Sequence, residues 1–180
     1  PRREQSAKML IDSFLPEGIT SLAVDSIFMM PQLGVMANID KKSIAEEARV
    51  AALEVFEKDC LIRLGTCVAP VGNMSKNEVP LKINLEFKNG EKKSIDLQSG
   101  ELIRIEVGYE EVKAELIPTK GINVGAGKGE KIDTIIFGGQ VGLIFDGRGR
   151  PLDVGSDPSV RISNLKKWAS ALNEYPELKE

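Results

Sequence analysis

Apolar residues recur at two different periods along this chain, and the change of period divides it. Ala7, Leu10, Ile11 and Phe14 share one face at helical spacing, and Pro16-Glu17-Gly18 predicts the end of that helix. Residues 21–25, SLAVD, read as a short apolar strand closing on Asp25. Asp25 or Ser26 predicts a cap for the next segment, SIFMMPQLGVMA, which Pro31 limits to short helical pieces. A strand followed by a cap is the grammar of an α/β unit. Ser43 and Glu46 then have capping-box spacing, and Ile44, Ala48, Ala51, Ala52, Val55 and Phe56 predict one broad helical face running to about Lys58.

From Cys60 to Leu152 the period shortens to two. CLIRLGTCVAPVG reads as strand, break, strand, and Leu81, Ile83, Leu85 and Phe87 alternate onto one face. Asn89-Gly90 follows directly and predicts a hairpin, with KKSIDLQSGE as its return. LIRIEVGY, VKAELIP, DTIIFGG and VGLIFDG bring the set to about seven short strands, the pattern of a barrel or sandwich. A helix closes the chain, with Asp157-Pro158 as N-cap and first position, Leu165, Trp168, Ala169 and Leu172 as its stripe, and Pro176 as its stop. The expected fold is therefore α+β. A short α/β piece occupies residues 1–40, and residues 41–180 hold a helix, a β-rich barrel or sandwich and a C-terminal helix.

Composition narrows the chemistry. With 42% hydrophobic and 28% charged residues the chain reads as a soluble globular protein. Its net charge of −3 gives nucleic acid or acidic lipid no reason to bind, and no apolar run is long enough to span a membrane. The opening Pro1-Arg2-Arg3, without an initiator methionine, reads as part of a longer protein. There is no histidine, which removes the commonest general base, the Ser-His-Asp and Cys-His arrangements and nearly every zinc site. Cys60 and Cys67 sit too far apart in an apolar stretch for metal spacing and read as buried structural thiols of a cytoplasmic protein. Any catalysis would rest on carboxylates, lysine or a cofactor.

Three stretches are candidates. NVGAGKGEKID, residues 123–133, crowds glycines around Lys128. Aligned as a phosphate loop it has Ile122 in place of the first glycine, Gly129 in place of the magnesium-binding hydroxyl, and a strand pattern where a helix must start. A glycine-rich link between strands is the expected structure. Arg148 and Arg150, separated by Gly149, are a candidate anion grip, against the plainer reading of two solvated arginines on a hairpin tip. Asp25, at a strand end, is a candidate carboxylate, against a simple capping role. Asp25 and Asp146 together would carry an alternative function, a magnesium-dependent hydrolase. Met29-Met30 reads as core or as a surface against a partner, and Trp168 as core.

Residues 1–37, the segment EVFEKDCLIRLGTCVAPVG, the loop NVGAGKG and the segment GGQVGLIFDGRGRPL together resemble the C-terminal part of the MutL family. This is the glutamate-mutase-associated family, distinct from the mismatch-repair protein of the same name, and the resemblance runs from Pro1 to about Tyr175. It implies an actin/Hsp70-type ATPase whose ATP and magnesium site lies upstream, since no position here matches its catalytic residues. Residues 1–40 would then end the ATPase core and 41–180 form an appended region. The implied role is a non-catalytic interaction or regulatory module of a chaperone or reactivating factor, partnered by an adenosylcobalamin-dependent mutase subunit or by a second copy of the chain. No cofactor or metal is expected within this segment. A sensor for a small anion at Arg148 and Arg150 is the remaining alternative.

Overall fold

The computed structural model describes residues 2–37, 45–75 and 78–176. Helix α1 (Arg3–Phe14) stops where Leu15 turns into the left-handed region ahead of Pro16, and strand β1 (Gly18–Asp25) follows. Helices α2 (Met30–Ala37) and α3 (Ala45–Val55) come next, and a π-helical turn over Phe56–Cys60 leads into β2 (Leu61–Ala69). Strands β3 (Leu81–Glu86), β4 (Lys92–Leu97), β5 (Leu102–Ile105), β6 (Glu111–Pro118), β7 (Ile132–Phe137) and β8 (Gly142–Asp146) precede the last helix, α4 (Pro158–Leu172). The capping box at Ser43 and the apolar position Ile44 lie outside the described residues.

The protein is an α+β fold with eight strands in two four-stranded sheets, ordered β1-β2-β8-β5 and β4-β3-β6-β7. Neither sheet closes into a barrel. The inward residues of β3 and β6 (Leu81, Ile83, Leu85, Val112, Leu116) join Val68, Leu143 and Phe145 of the other sheet in one buried cluster. A sandwich is thus the arrangement the alternating strands adopt. The β3–β4 hairpin turns at Asn89-Gly90 as its dipeptide predicts, with Gly90 at φ +84° and its N–H bonded to the Phe87 carbonyl.

Two local expectations change. LIRLGTCVA, residues 61–69, is one continuous strand with Gly65 inside it, because β2 pairs in parallel with β8 and Gly65 stands opposite Gly142. Helix α3 buries a narrower face than its sequence predicts. Ala52 is buried and Ala48 and Phe56 half-buried, while Ala51 and Val55 are exposed.

The compact units also run differently from a division at residue 40. One comprises Pro1–Leu22 with Leu64–Glu180, the other Ala23–Arg63. The physical reason is that β1 and β2 are sheet neighbours, so the helical segment departs from one strand and re-enters at the next. Within that smaller unit Ser26 donates both its N–H and its hydroxyl to the Cys60 carbonyl, at 3.0 and 2.9 Å.

Candidate functional site

Arg148 and Arg150 follow β8, yet neither is solvated. The Arg148 side chain is 0% exposed and meets Asp146, also 0% exposed, through Nε and Nη2, both at 2.8 Å. Its Nη1 donates to Asp12 of α1 at 2.7 Å, and its guanidinium lies over the Trp168 ring, 5.0 Å from the centroid. Arg150 donates to the same Asp146 carboxylate at 3.0 Å and to the Pro16 carbonyl at 2.9 Å. Burial pushes the Asp146 carboxyl up, but the hydrogen bonds and charge of Arg148, with the charge of Arg150, outweigh it and hold the group below the ordinary range. The hairpin-tip reading is therefore corrected. These arginines form the buried junction of α1, β8 and α4, and their donors are already taken by carboxylates and carbonyls, so an arriving anion would have to displace Asp146.

Glu174, just past α4, borders this junction. It is 8% exposed, and its Oε1 has no hydrogen-bond partner. Burial raises its carboxyl pKa, opposed by the charge of Lys8 and reinforced by that of Asp12. A carboxyl with a raised pKa in the folded state favours folding below its unfolded pKa and loses that contribution as pH rises through the folded value. Glu174→Gln is accordingly expected to raise the melting temperature at pH 7 by a few degrees, about 2–4 °C per kcal/mol at this chain length. The gain should vanish below about pH 4, where glutamate is neutral in either state. Calorimetry across that range checks it, and a variant no more stable than the parent at pH 7 would refute it.

Asp25 caps. Its carboxylate accepts from the Met30 N–H at 2.8 Å and the Ile27 N–H at 3.2 Å, and the Met30 bond leads the causes that lower its pKa. With Asp25 holding α2 and Asp146 neutralised by two arginines, the paired-carboxylate magnesium site loses both of its members. Among the described residues no group of three or more Cys, Asp or Glu is placed to hold a metal ion.

The glycine-rich loop links β6 to β7. Asn123 Oδ1 accepts from the N–H groups of Gly125 at 2.8 Å and Gly127 at 3.0 Å. The amides that a phosphate would need are bonded to the loop's own side chain. Cys60 and Cys67 are free and buried, and burial raises both thiols above their ordinary range, that of Cys67 to about 12, which disfavours the thiolate at neutral pH.

The larger grooves are rimmed by charged side chains, several of them ion-paired. One of about 640 Å³ runs over the outer face of β4-β3-β6-β7, where Glu86 bridges Lys92 and Lys113, and Lys131 bridges Glu115 and Asp133. Such exposed ladders contribute little to stability individually.

No protein-family model, curated protein or solved structure matches the chain. The surface itself therefore carries the functional reading, and among the described residues the smaller unit leaves several large apolar side chains exposed. There Phe28 is 79% exposed, Val35 74%, Met30 57% and Leu53 56%. Phe28 also holds φ at +63°, a costly conformation for a bulky residue. Met30, Leu33 and Gly34 of α2 face Arg49, Ala52, Leu53 and Phe56 across a groove of about 290 Å³. Of the Met29-Met30 pair, the first packs on Leu33, Ala52 and Cys60 and the second faces outward. The sequence signal for this surface was a run of apolar residues too dense for the short helix that carries it.

Proposed function

We propose that this chain is a non-catalytic interaction module of a MutL-type ATPase, acting in the cytoplasm on an adenosylcobalamin-dependent mutase as part of a chaperone or reactivating factor. The observation that carries the interaction role is the apolar surface of residues 23–63. Large side chains left in water on a small helical unit mark a contact site rather than a core. The engagement of Asp25, Asp146, Arg148 and Arg150 in capping and buried pairing supports a binding role over hydrolysis or anion sensing. The choice of family and of mutase rests on the sequence resemblance. The expected result is that the chain co-elutes with the mutase subunit in size-exclusion chromatography and that Leu53→Glu reduces the complex at least about tenfold, or 1.4 kcal/mol. If a longer form of the protein binds the mutase equally well with and without residues 23–63, the module reading is wrong.

A further inference from the structure

The sheet β4-β3-β6-β7 has two edges, and they differ. Along a strand, backbone N–H and C=O groups point to its two sides at alternate residues. The Phe87 N–H bonds the Glu91 carbonyl, so the outward groups of β4 belong to Lys92, Ser94 and Asp96. Charges of that kind, with Lys93 among them, discourage a further strand. On the other edge the Gly138 N–H bonds the Glu110 carbonyl. Ile132, Thr134 and Ile136 therefore face β6, while Asp133, Ile135 and Phe137 face away. Phe137 is closed off, because the Thr66 hydroxyl donates to its carbonyl at 2.8 Å and accepts from its N–H at 3.1 Å. The N–H groups of Asp133 and Ile135 have no hydrogen-bond partner among the described residues. Ile135 is exposed, and Asp133 is the single charge in a strand otherwise made of isoleucine, threonine and phenylalanine. Lys131, just before the strand, meets Asp133 at 3.3 Å on the same face.

We infer that β7 pairs antiparallel with β7 of a second copy of this chain, about a two-fold axis at Ile132, with Lys131 of each copy opposite Asp133 of the other. An open strand edge is filled by another strand through main-chain hydrogen bonds. Charge selects which strand. This edge carries one cation and one anion two positions apart, and an antiparallel copy presents the same two in reverse order, so both meet their opposites at once. Outward residues must oppose outward residues, so the register can slide only by two places. The adjacent registers set Asp133 against Asp133 or Lys131 against Lys131, and like charges directly opposite are unfavourable. A two-fold contact also closes on itself, since each copy uses the edge that the other needs. The contact lies on the sandwich, outside residues 23–63, and stands apart from the module reading.

Sedimentation velocity of the full chain from about 10 μM to about 1 mM, where small interfaces assemble, is expected to show a reversible monomer–dimer equilibrium and nothing larger. Asp133→Pro removes an outward N–H and leaves the β6–β7 ladder intact, because that ladder is bonded through Ile132, Thr134 and Ile136. It should raise the dimer dissociation constant at least about tenfold. Ser94→Pro, the same change on the β4 edge, should leave it unaltered. Lys131→Asp and Asp133→Lys each set like charges opposite one another and should each weaken the dimer about tenfold, while the double exchange restores it. The two single exchanges move the net charge in opposite directions, so general repulsion between copies could not weaken both. Circular dichroism checks that each variant is folded. A monomer over the whole range overturns the inference, as does a dimer indifferent to Asp133→Pro or equally sensitive to Ser94→Pro. So does a double exchange no stronger than the single ones, or assembly that continues past two copies.

Discussion

Asp146→Ala is expected to cost about 3–5 kcal/mol of folding stability, the range for removing one partner of a buried ion pair. The loss leaves Arg148 without its bidentate carboxylate and Arg150 without its 3.0 Å partner, both in a region closed to water. Asp12, about one-third exposed, stays with Arg148 and compensates only in part. Because the folded-state pKa of Asp146 is depressed, the contribution of its charge is fully present above the unfolded value near 3.9 and is lost as pH falls through the folded value. The gap between parent and variant should therefore narrow in acid. Replacing Asp146 and Arg148 together by apolar residues of similar volume should cost less than Asp146→Ala alone, since a buried pair and its hydrophobic replacement are often close in free energy. Urea titrations at pH 7 and pH 3 measure both effects. An Asp146→Ala midpoint equal to the parent's at pH 7 would mean that the junction contributes nothing.

Gly65→Ala is expected to be at least as damaging. Gly65 sits within β2 at φ +144°, and a Cβ there would lie 1.7 Å from the Gly142 carbonyl oxygen. That oxygen belongs to the backbone of the paired strand, so relief requires β2 and β8 to move apart. Gly142 is equally constrained, its Cβ position falling 2.1 Å from the Ile105 carbonyl oxygen of β5. The expected loss is about 4 kcal/mol or more, a large share of the roughly 5–15 kcal/mol that holds a typical domain. Gly108→Ala is the control, since no atom lies within 4 Å of its Cβ position and its φ is ordinary. A Gly65→Ala protein that unfolds cooperatively within about 1 kcal/mol of the parent would contradict the close approach of these strands.

The two cases show where the sequence was informative and where it was not. The Asn89-Gly90 hairpin and the Asp157 cap were legible because each is decided within about five residues. Asp157 accepts from the Ser159 and Val160 amides, as its place before Pro158 predicts. Gly65 read as a break because its reason for being glycine lies in β8. Arg148 and Arg150 read as a surface pair because Asp12, which meets Arg148, is 136 positions away in the chain. Asp25 was legible as a cap, and the failure of the glycine-rich stretch as a phosphate loop was legible from its missing residues. What sequence could not supply was the α2–α3 groove. The same alanines and methionines serve a buried helix pair or an exposed one, and only the fold decides which of their faces remains open.

The helical unit leaves the chain after Leu22 and the chain resumes at Leu64, on two strands that are neighbours in one sheet. Such an excursion is exchangeable. Closing a loop costs free energy that grows only with the logarithm of its length, roughly 0.6 kcal/mol per doubling. A lineage carrying this scaffold can therefore lengthen, shorten or replace the residues between Asp25 and Leu61 at modest cost while the strands of the sandwich are inherited unchanged. Divergence in partner choice should then be concentrated in this excursion, and a graft of it onto another pair of adjacent strands should carry its binding preference along.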